Sequence, residues 1–388
     1  MKAKRRHLQQ LLLLLVMMLS TLSATKATSQ IIRPGCLERC GSVDVRYPFG
    51  TSDGGKECYL DESFLVICNH SFNPPKLFFR ENDVPITSMS PADGELRVAT
   101  SISRECYNEQ VSLTGNKDES FSSMYTRFPV STRNKFTAVG CGTIGIIENL
   151  GKRSYNTGCI SSCHQIEDVK NGTCYGAVGC CQMSIPEGVF GYIIKAGSLT
   201  NDTAIRSFNP CAYAFVADDE AYNFSSLDLA NLQNRVTFDV VLDWSVGNET
   251  CENAKQGMST NACRANNSEC INPSNVGGYR CICSQGYHGN PYLPDGCQDV
   301  NECESHPSPC HKDATCHNLI GNFTCLCRTG FEGDGRNATG CSRKVGPRGQ
   351  TRLAIELGED DHGATNSNTT SRFDSLKNHF KMPYDDGR

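Results

Sequence analysis

The sequence predicts a small, disulfide-rich, mostly β fold: a cysteine-rich β region followed by two short cysteine-framed modules in tandem. Three observations predict it. Cysteine accounts for 24 of the 388 residues, and so many thiols in an even number point to pairing in an oxidising compartment. Runs of β-formers such as Phe64-Leu65-Val66-Ile67, Lys76-Leu77-Phe78-Phe79, Glu95-Leu96-Arg97-Val98 and Val236 to Val241 are broken by Pro, Gly and Asn, and no long helical period appears. The cysteine rhythm also changes along the chain. From Cys36 to Cys211 it is wide and uneven; afterwards come Cys251, Cys263, Cys270, Cys281, Cys283, Cys297 and then Cys303, Cys310, Cys316, Cys325, Cys327, Cys341.

Residues 1–27 read as a secretory signal peptide. Lys2, Lys4, Arg5 and Arg6 precede the apolar run Leu11 to Leu19, and small residues follow at Ser23, Ala24 and Ala27. The run is short for a bilayer span, and no later stretch is longer, so the expectation is a secreted, extracellular or cell-wall protein without a membrane span. Asn-x-Ser/Thr sequons at Asn69, Asn171, Asn201, Asn223, Asn248, Asn266, Asn322, Asn337 and Asn368 suit a glycoprotein.

The cysteine-rich region divides into 31–106 and 107–247. Its disulfide partners are open at this level, although adjacent Cys180 and Cys181 must bond to different residues. Cys36-Leu37-Glu38-Arg39-Cys40-Gly41, Tyr47-Pro48-Phe49-Gly50 and Phe64-Leu65-Val66-Ile67-Cys68 resemble the amino-terminal galacturonan-binding module in the extracellular part of plant wall-associated kinases. Gly179-Cys180-Cys181-Gln182, Cys211 to Val216 and Val241-Leu242-Asp243-Trp244 are similar to the second ectodomain segment of that family.

What the resemblance implies is binding of pectin or oligogalacturonide, a polyanion. Arg33, Arg39, Arg46 and Lys56, with Tyr47, are the first candidate contacts; Lys76 and Arg80, and Phe49, Phe78 and Phe79 as apolar platforms, are further ones. Acidic residues are interleaved with them, and the formal charge is -5, so net charge gives polyanion binding no support. Tyr47-Pro48-Phe49-Gly50 reads more readily as a structural turn with a buried aromatic than as a sugar contact.

The two six-cysteine sets resemble epidermal-growth-factor-like modules, 248–298 and 299–341. The family pairing implies Cys251 to Cys270, Cys263 to Cys281 and Cys283 to Cys297, then Cys303 to Cys316, Cys310 to Cys325 and Cys327 to Cys341. A module of about forty residues has too little apolar surface to fold alone, so these bridges are expected to stabilise each one.

The second module has the residues for calcium, a hard cation that takes six to eight oxygens. Asp299 and Glu302 supply carboxylates and Asn318 an amide oxygen; the family adds the backbone carbonyls of Val300, Leu319 and Asn322. A solvated acidic linker is the bland alternative, and Asn318 with Phe323 at the family spacing speaks against it. Only Asn248-Glu249-Thr250 precedes Cys251, so one structural calcium is expected, placed where it would restrict the hinge between modules. Tyr287 either packs on Ile320 and Gly321 of the second module or fills the small core of its own.

No Gly-x-Ser-x-Gly elbow, His-Glu-x-x-His helix or phosphate-cradling loop occurs, and Asp218-Asp219-Glu220 reads as a solvated loop, so a non-catalytic protein is expected. His311 and His317 beside cysteines suggest zinc only weakly within a disulfide frame. Residues 342–388 read as a disordered tail without kinase signatures. The alternative to wall binding is an extracellular protein-interaction module, or a soluble decoy or co-receptor, that takes a peptide or another wall-associated receptor through its tandem modules and has no sugar affinity. No feature suggests nucleic acid.

Overall fold

A computed structural model describes residues 33–344 apart from 80–83, 109–111, 123–126, 151–155, 173, 175, 201 and 257–261. The expected signal peptide, the tail beyond 344, Arg80, Asn201 and Asn368 lie outside the described residues. All the cysteines are paired, and the structure is mostly β. It divides into two compact units, one of residues 1–301 with 319–322 and a second of 302–318 with 323–388.

Among the described residues the first unit holds three antiparallel sheets of four or five strands, besides two-stranded hairpins. One, of five strands, runs in the order Thr237–Asp243, Glu95–Ser101, Pro85–Ser90, Lys76–Phe79, Val66–Asn69. A second five-stranded sheet runs Cys180–Ser184, Asn134–Val139, Cys211–Asp218, Ser103–Tyr107, Leu113–Lys117. The third has four strands, Asn156–Ser161, Thr143–Asn149, Gly191–Ser198 and Glu119–Ser122.

Side-chain alternation explains how they stack. Along Glu95–Ser101 alternate residues are buried, the period expected of a strand with one covered face. The central strand Cys211–Asp218 is buried throughout because it faces two cores. Ala212, Ala214 and Val216 join one cluster; Tyr213, Phe215 and Ala217 join the other. Small side chains on one face and aromatics on the other set the spacing of each layer. Asp218, read from sequence as part of a solvated acidic loop, is 1% exposed. It accepts from Arg97 Nη1 at 2.6 Å and Arg133 Nη2 at 3.4 Å, so this carboxylate ties its own sheet to the strand Glu95–Ser101 of the other five-stranded sheet.

The larger core does not respect the boundary expected at residues 106 and 107. It runs from Cys40 through Val98, Phe136 and Trp244 to Tyr279 and Tyr292, because strand 237–243 pairs along the whole of strand 95–101. The first growth-factor-like module is therefore part of this unit. Trp244, fully buried, meets Phe49 and Phe64 edge-on at centroid distances of 5.4 and 5.6 Å and lies 5.5 Å from the Tyr292 ring. Val246 and Tyr279 exchange backbone hydrogen bonds of 2.8 and 3.0 Å. Asn275 donates to Val130 O at 3.0 Å and to Asp243 Oδ2 at 2.7 Å, and accepts from Gly188 N at 2.8 Å.

The six upstream bridges are Cys36–Cys58, Cys40–Cys68, Cys106–Cys211, Cys141–Cys163, Cys159–Cys181 and Cys174–Cys180. Within the first module they are Cys251–Cys270, Cys263–Cys281 and Cys283–Cys297. The second has Cys303–Cys316, Cys310–Cys325 and Cys327–Cys341. Its small core is Cys310, Ala314 and Cys325, with Phe323 against it, so there the bridges do most of the stabilising.

Trp244→Ala is expected to lower stability by about 3–5 kcal/mol, the usual cost of emptying a large aromatic site, read as a shift in the urea midpoint of the oxidised protein. Asn275→Ala should cost roughly 1–3 kcal/mol by leaving buried partners unpaired. A midpoint unchanged in both variants would mean that the first module does not share this core.

Candidate functional site

A short hairpin builds the first wall of a cavity. Arg39–Cys40 pairs with Val43–Asp44, which sets Arg39 directly across from Asp44. The Asp44 carboxylate accepts from Arg39 Nε at 2.8 Å and from Arg46 Nη2 at 3.0 Å. The Arg39 hydrogen bond is the main reason why the Asp44 pKa is lowered; partial burial opposes it and Arg46 adds to it. Arg33 is held differently. Its guanidinium lies 3.9 Å from the centroid of the Tyr47 ring, and Nη1 donates to Glu57 O. Among the described residues Arg33 forms no ion pair.

The cavity is about 830 Å³, within the range of small-ligand sites, and Arg33, Arg39, Arg46 and Tyr47 all line it. The strand end Thr87–Ala92 forms a second side, joined to the hairpin where Arg46 N donates to Met89 Sδ at 3.3 Å. His288, Asn290, Asp295 and Gln298 of the first growth-factor-like module form the third. Sequence reasoning missed these four because they lie so far downstream; Asn290 Nδ2 donates to Tyr47 O at 2.6 Å across a separation of 243. The lining balances three arginines against Glu38, Asp44 and Asp295.

Other candidates fall elsewhere. Lys56 is exposed and does not line the cavity. Phe49 and Phe79 are core residues, 1% and 2% exposed, since each points inward from its segment, so neither is a sugar platform. Phe78 lies tilted against Phe72, ring centroids 5.7 Å apart, with Lys76 Nζ 4.8 Å from the centroid of the Phe72 ring. The sequon asparagines Asn171, Asn223, Asn248, Asn266, Asn322 and Asn337 are exposed and Asn69 is half-buried.

The expected calcium ligands divide between the units. In the first, Asp299 Oδ1 accepts from Gly321 N, and Val300 N donates to Gly286 O at 2.9 Å. Tyr287 lies on Gly321, where an added Cβ would come within 2.9 Å of the ring; Ile320 is 87% exposed and takes no part in that packing. In the second, Glu302 Oε2 is buried and has no hydrogen-bond partner among the described residues. An orphaned carboxylate oxygen is costly unless a cation meets it, so Glu302 fits a calcium ligand.

The Asp44 carboxyl should titrate by NMR below the ordinary range in the native protein, and its midpoint should rise in Arg39→Ala. Because the folded pKa is lowered, the stability it contributes is present above the unfolded value and lost as pH falls through the folded one.

Two family models match the chain: residues 36–100 match the wall-associated receptor kinase galacturonan-binding domain, and residues 303–337 an EGF domain. Among curated relatives from Arabidopsis thaliana, wall-associated receptor kinase 2 is 42% identical over 320 residues, 81% of this chain and 41% of the relative. Wall-associated receptor kinase 1 is 37% identical, with 80% and 41% covered, and wall-associated receptor kinase 5 is 39% identical, with 74% and 38% covered. The chain thus spans about two-fifths of the length of these relatives. Neither matched domain is catalytic, and no helix among the described residues is long and apolar enough to cross a membrane. With both domains in place and this similarity along most of its length, the chain resembles the extracellular, receptor-like region of the wall-associated receptor kinases.

Proposed function

We propose that the protein is a non-catalytic, secreted binder of pectic polysaccharide that takes a stretch of galacturonan in the cavity lined by Arg33, Arg39, Arg46 and Tyr47. The supporting observation is the Arg33 guanidinium. It is fixed on an aromatic ring and against a backbone carbonyl, and among the described residues it has no carboxylate of its own. A uronate carboxylate can pair with it without displacing a partner. Arg39 and Arg46 already share Asp44, so they add a weaker, more screened attraction.

Calcium is proposed as a structural cofactor of the second growth-factor-like module. Asp299, Glu302 and Asn318 would supply side-chain oxygens and Val300, Leu319 and Asn322 backbone carbonyls, an all-oxygen set suited to a hard cation. The orphaned Glu302 oxygen supports it. A second reading is capture of a protein partner, such as another wall-associated receptor, through the tandem modules. It draws on Leu319 and Ile320, 50% and 87% exposed.

Isothermal titration with defined oligogalacturonides should show saturable, salt-sensitive binding that Arg33→Ala weakens about tenfold, the scale of one lost charge-assisted contact. No binding at any salt concentration would remove the wall-binding reading and favour the protein partner. Calcium should raise the melting temperature of the wild type, and Glu302→Gln should abolish that rise; an equal rise in the variant would move the ion elsewhere.

A further inference from the structure

We infer that the uronide cavity is a composite site, in which the first growth-factor-like module supplies the wall that reads sugar hydroxyls through His288, Gln298 and Asp295. The inference rests on the proposed galacturonan binding and extends the site beyond residues 36–100, the part matched by the galacturonan-binding family model.

The geometry begins with a hairpin. Tyr287–Gly289 pairs with Cys297–Asp299, and His288 stands directly across from Gln298. Residues opposed in an antiparallel pair share one face, and both of these line the cavity. Asp295, in the loop between the strands, lines it too. Among the described residues none of these three side chains has a hydrogen bond or ion pair, so their polar atoms are available to a ligand. Their chemistry suits hydroxyls: an amide donates and accepts, an imidazole does either, and a carboxylate accepts.

The wall is rigidly placed. Asn290 donates to the carbonyl of Tyr47, the residue on whose ring Arg33 rests. Its Oδ1 accepts from Tyr292 N at 3.1 Å, and Tyr292 is fully buried against Trp244. The hydroxyl-reading wall and the carboxylate-reading wall are therefore one hydrogen-bonded piece. Such fixed placement lowers the ordering cost of binding.

The two walls differ in charge sense. Arg33 offers positive charge without a carboxylate partner, whereas Asp295 offers negative charge. A uronide sugar has a carboxylate and hydroxyls at different points of its ring, and this polarity orients it with its carboxylate toward Arg33 and hydroxyls toward the module. A uniform polyanion track would leave Asp295 facing like charge. The cavity therefore reads each sugar from two sides.

The test measures affinity of the full chain for one defined oligogalacturonide by titration calorimetry. His288→Glu and Gln298→Glu each place a carboxylate in the cavity at an exposed position, and each should weaken binding at least about tenfold. His288→Gln, which keeps hydroxyl-bonding capacity, should stay within about threefold of wild type. Glu269→Gln, exposed in the same module but away from the cavity, should bind as wild type does. Unchanged melting temperatures would show that each variant is folded. If wild type binds and Arg33→Ala weakens binding while both glutamate variants bind normally, the composite wall is wrong and galacturonan binding stands. If wild type does not bind, both fall.

Discussion

Trp244 is the residue on which the first unit depends. Its side chain is fully buried, edge-on to Phe49 and Phe64 from the amino-terminal segment and tilted on Tyr292 from the first growth-factor-like module. Aromatic pairs of this kind add about 0.5–1.5 kcal/mol each beyond the area they bury. A module of about forty residues cannot gather such a core by itself. By lending Tyr279 and Tyr292 to a larger core, it gains a fixed position along with its stability. The second module has only Cys310, Ala314, Cys325 and a few neighbours and relies on three bridges.

The strand Cys211–Asp218 gives that arrangement its depth. With one core on each face, it allows two layers of sheet to be anchored by one segment, and Asp218 at its end pairs with Arg133 and with Arg97 of the other five-stranded sheet. Breaking such a buried pair leaves an uncompensated charge, a heavier loss than any surface ion pair. The Asp44 pairs at the cavity rim are the opposite case: half-exposed and screened, they position Arg39 and Arg46 more than they stabilise the fold.

Much of this was legible in the sequence. Cysteine content and short β-runs pointed to a disulfide-rich β protein, and the six bridges of the two modules follow the pairing that the family resemblance implies. The upstream bridges could not be read, because Cys106 finds Cys211 across 105 residues through sheet pairing that no local pattern encodes. Phe79 looked like a platform because composition does not say which way a side chain points, and burial decided it, whereas Phe49 is the buried aromatic that the turn reading expected. Arg33, Arg39, Arg46 and Tyr47 do meet at one cavity. Their partners His288 and Gln298 carried no local signal, since only the core around Trp244 brings the downstream module to them. Glu302 was named for its spacing, and its orphaned oxygen adds a physical reason that spacing could not supply.

The hairpin of the first module also limits how this chain can change. Its His288 and Gln298 face the cavity, while the neighbouring pair of Tyr287 and Asp299 is turned to Gly321. Side chains in a strand alternate faces, so inserting or deleting a single residue there would exchange the two sets. Between Cys283 and Cys297, then, length is more strictly held than residue identity. Substitutions in the hairpin can change the lining of the cavity, whereas a one-residue indel would disturb the cavity and the packing on Gly321 in the same step.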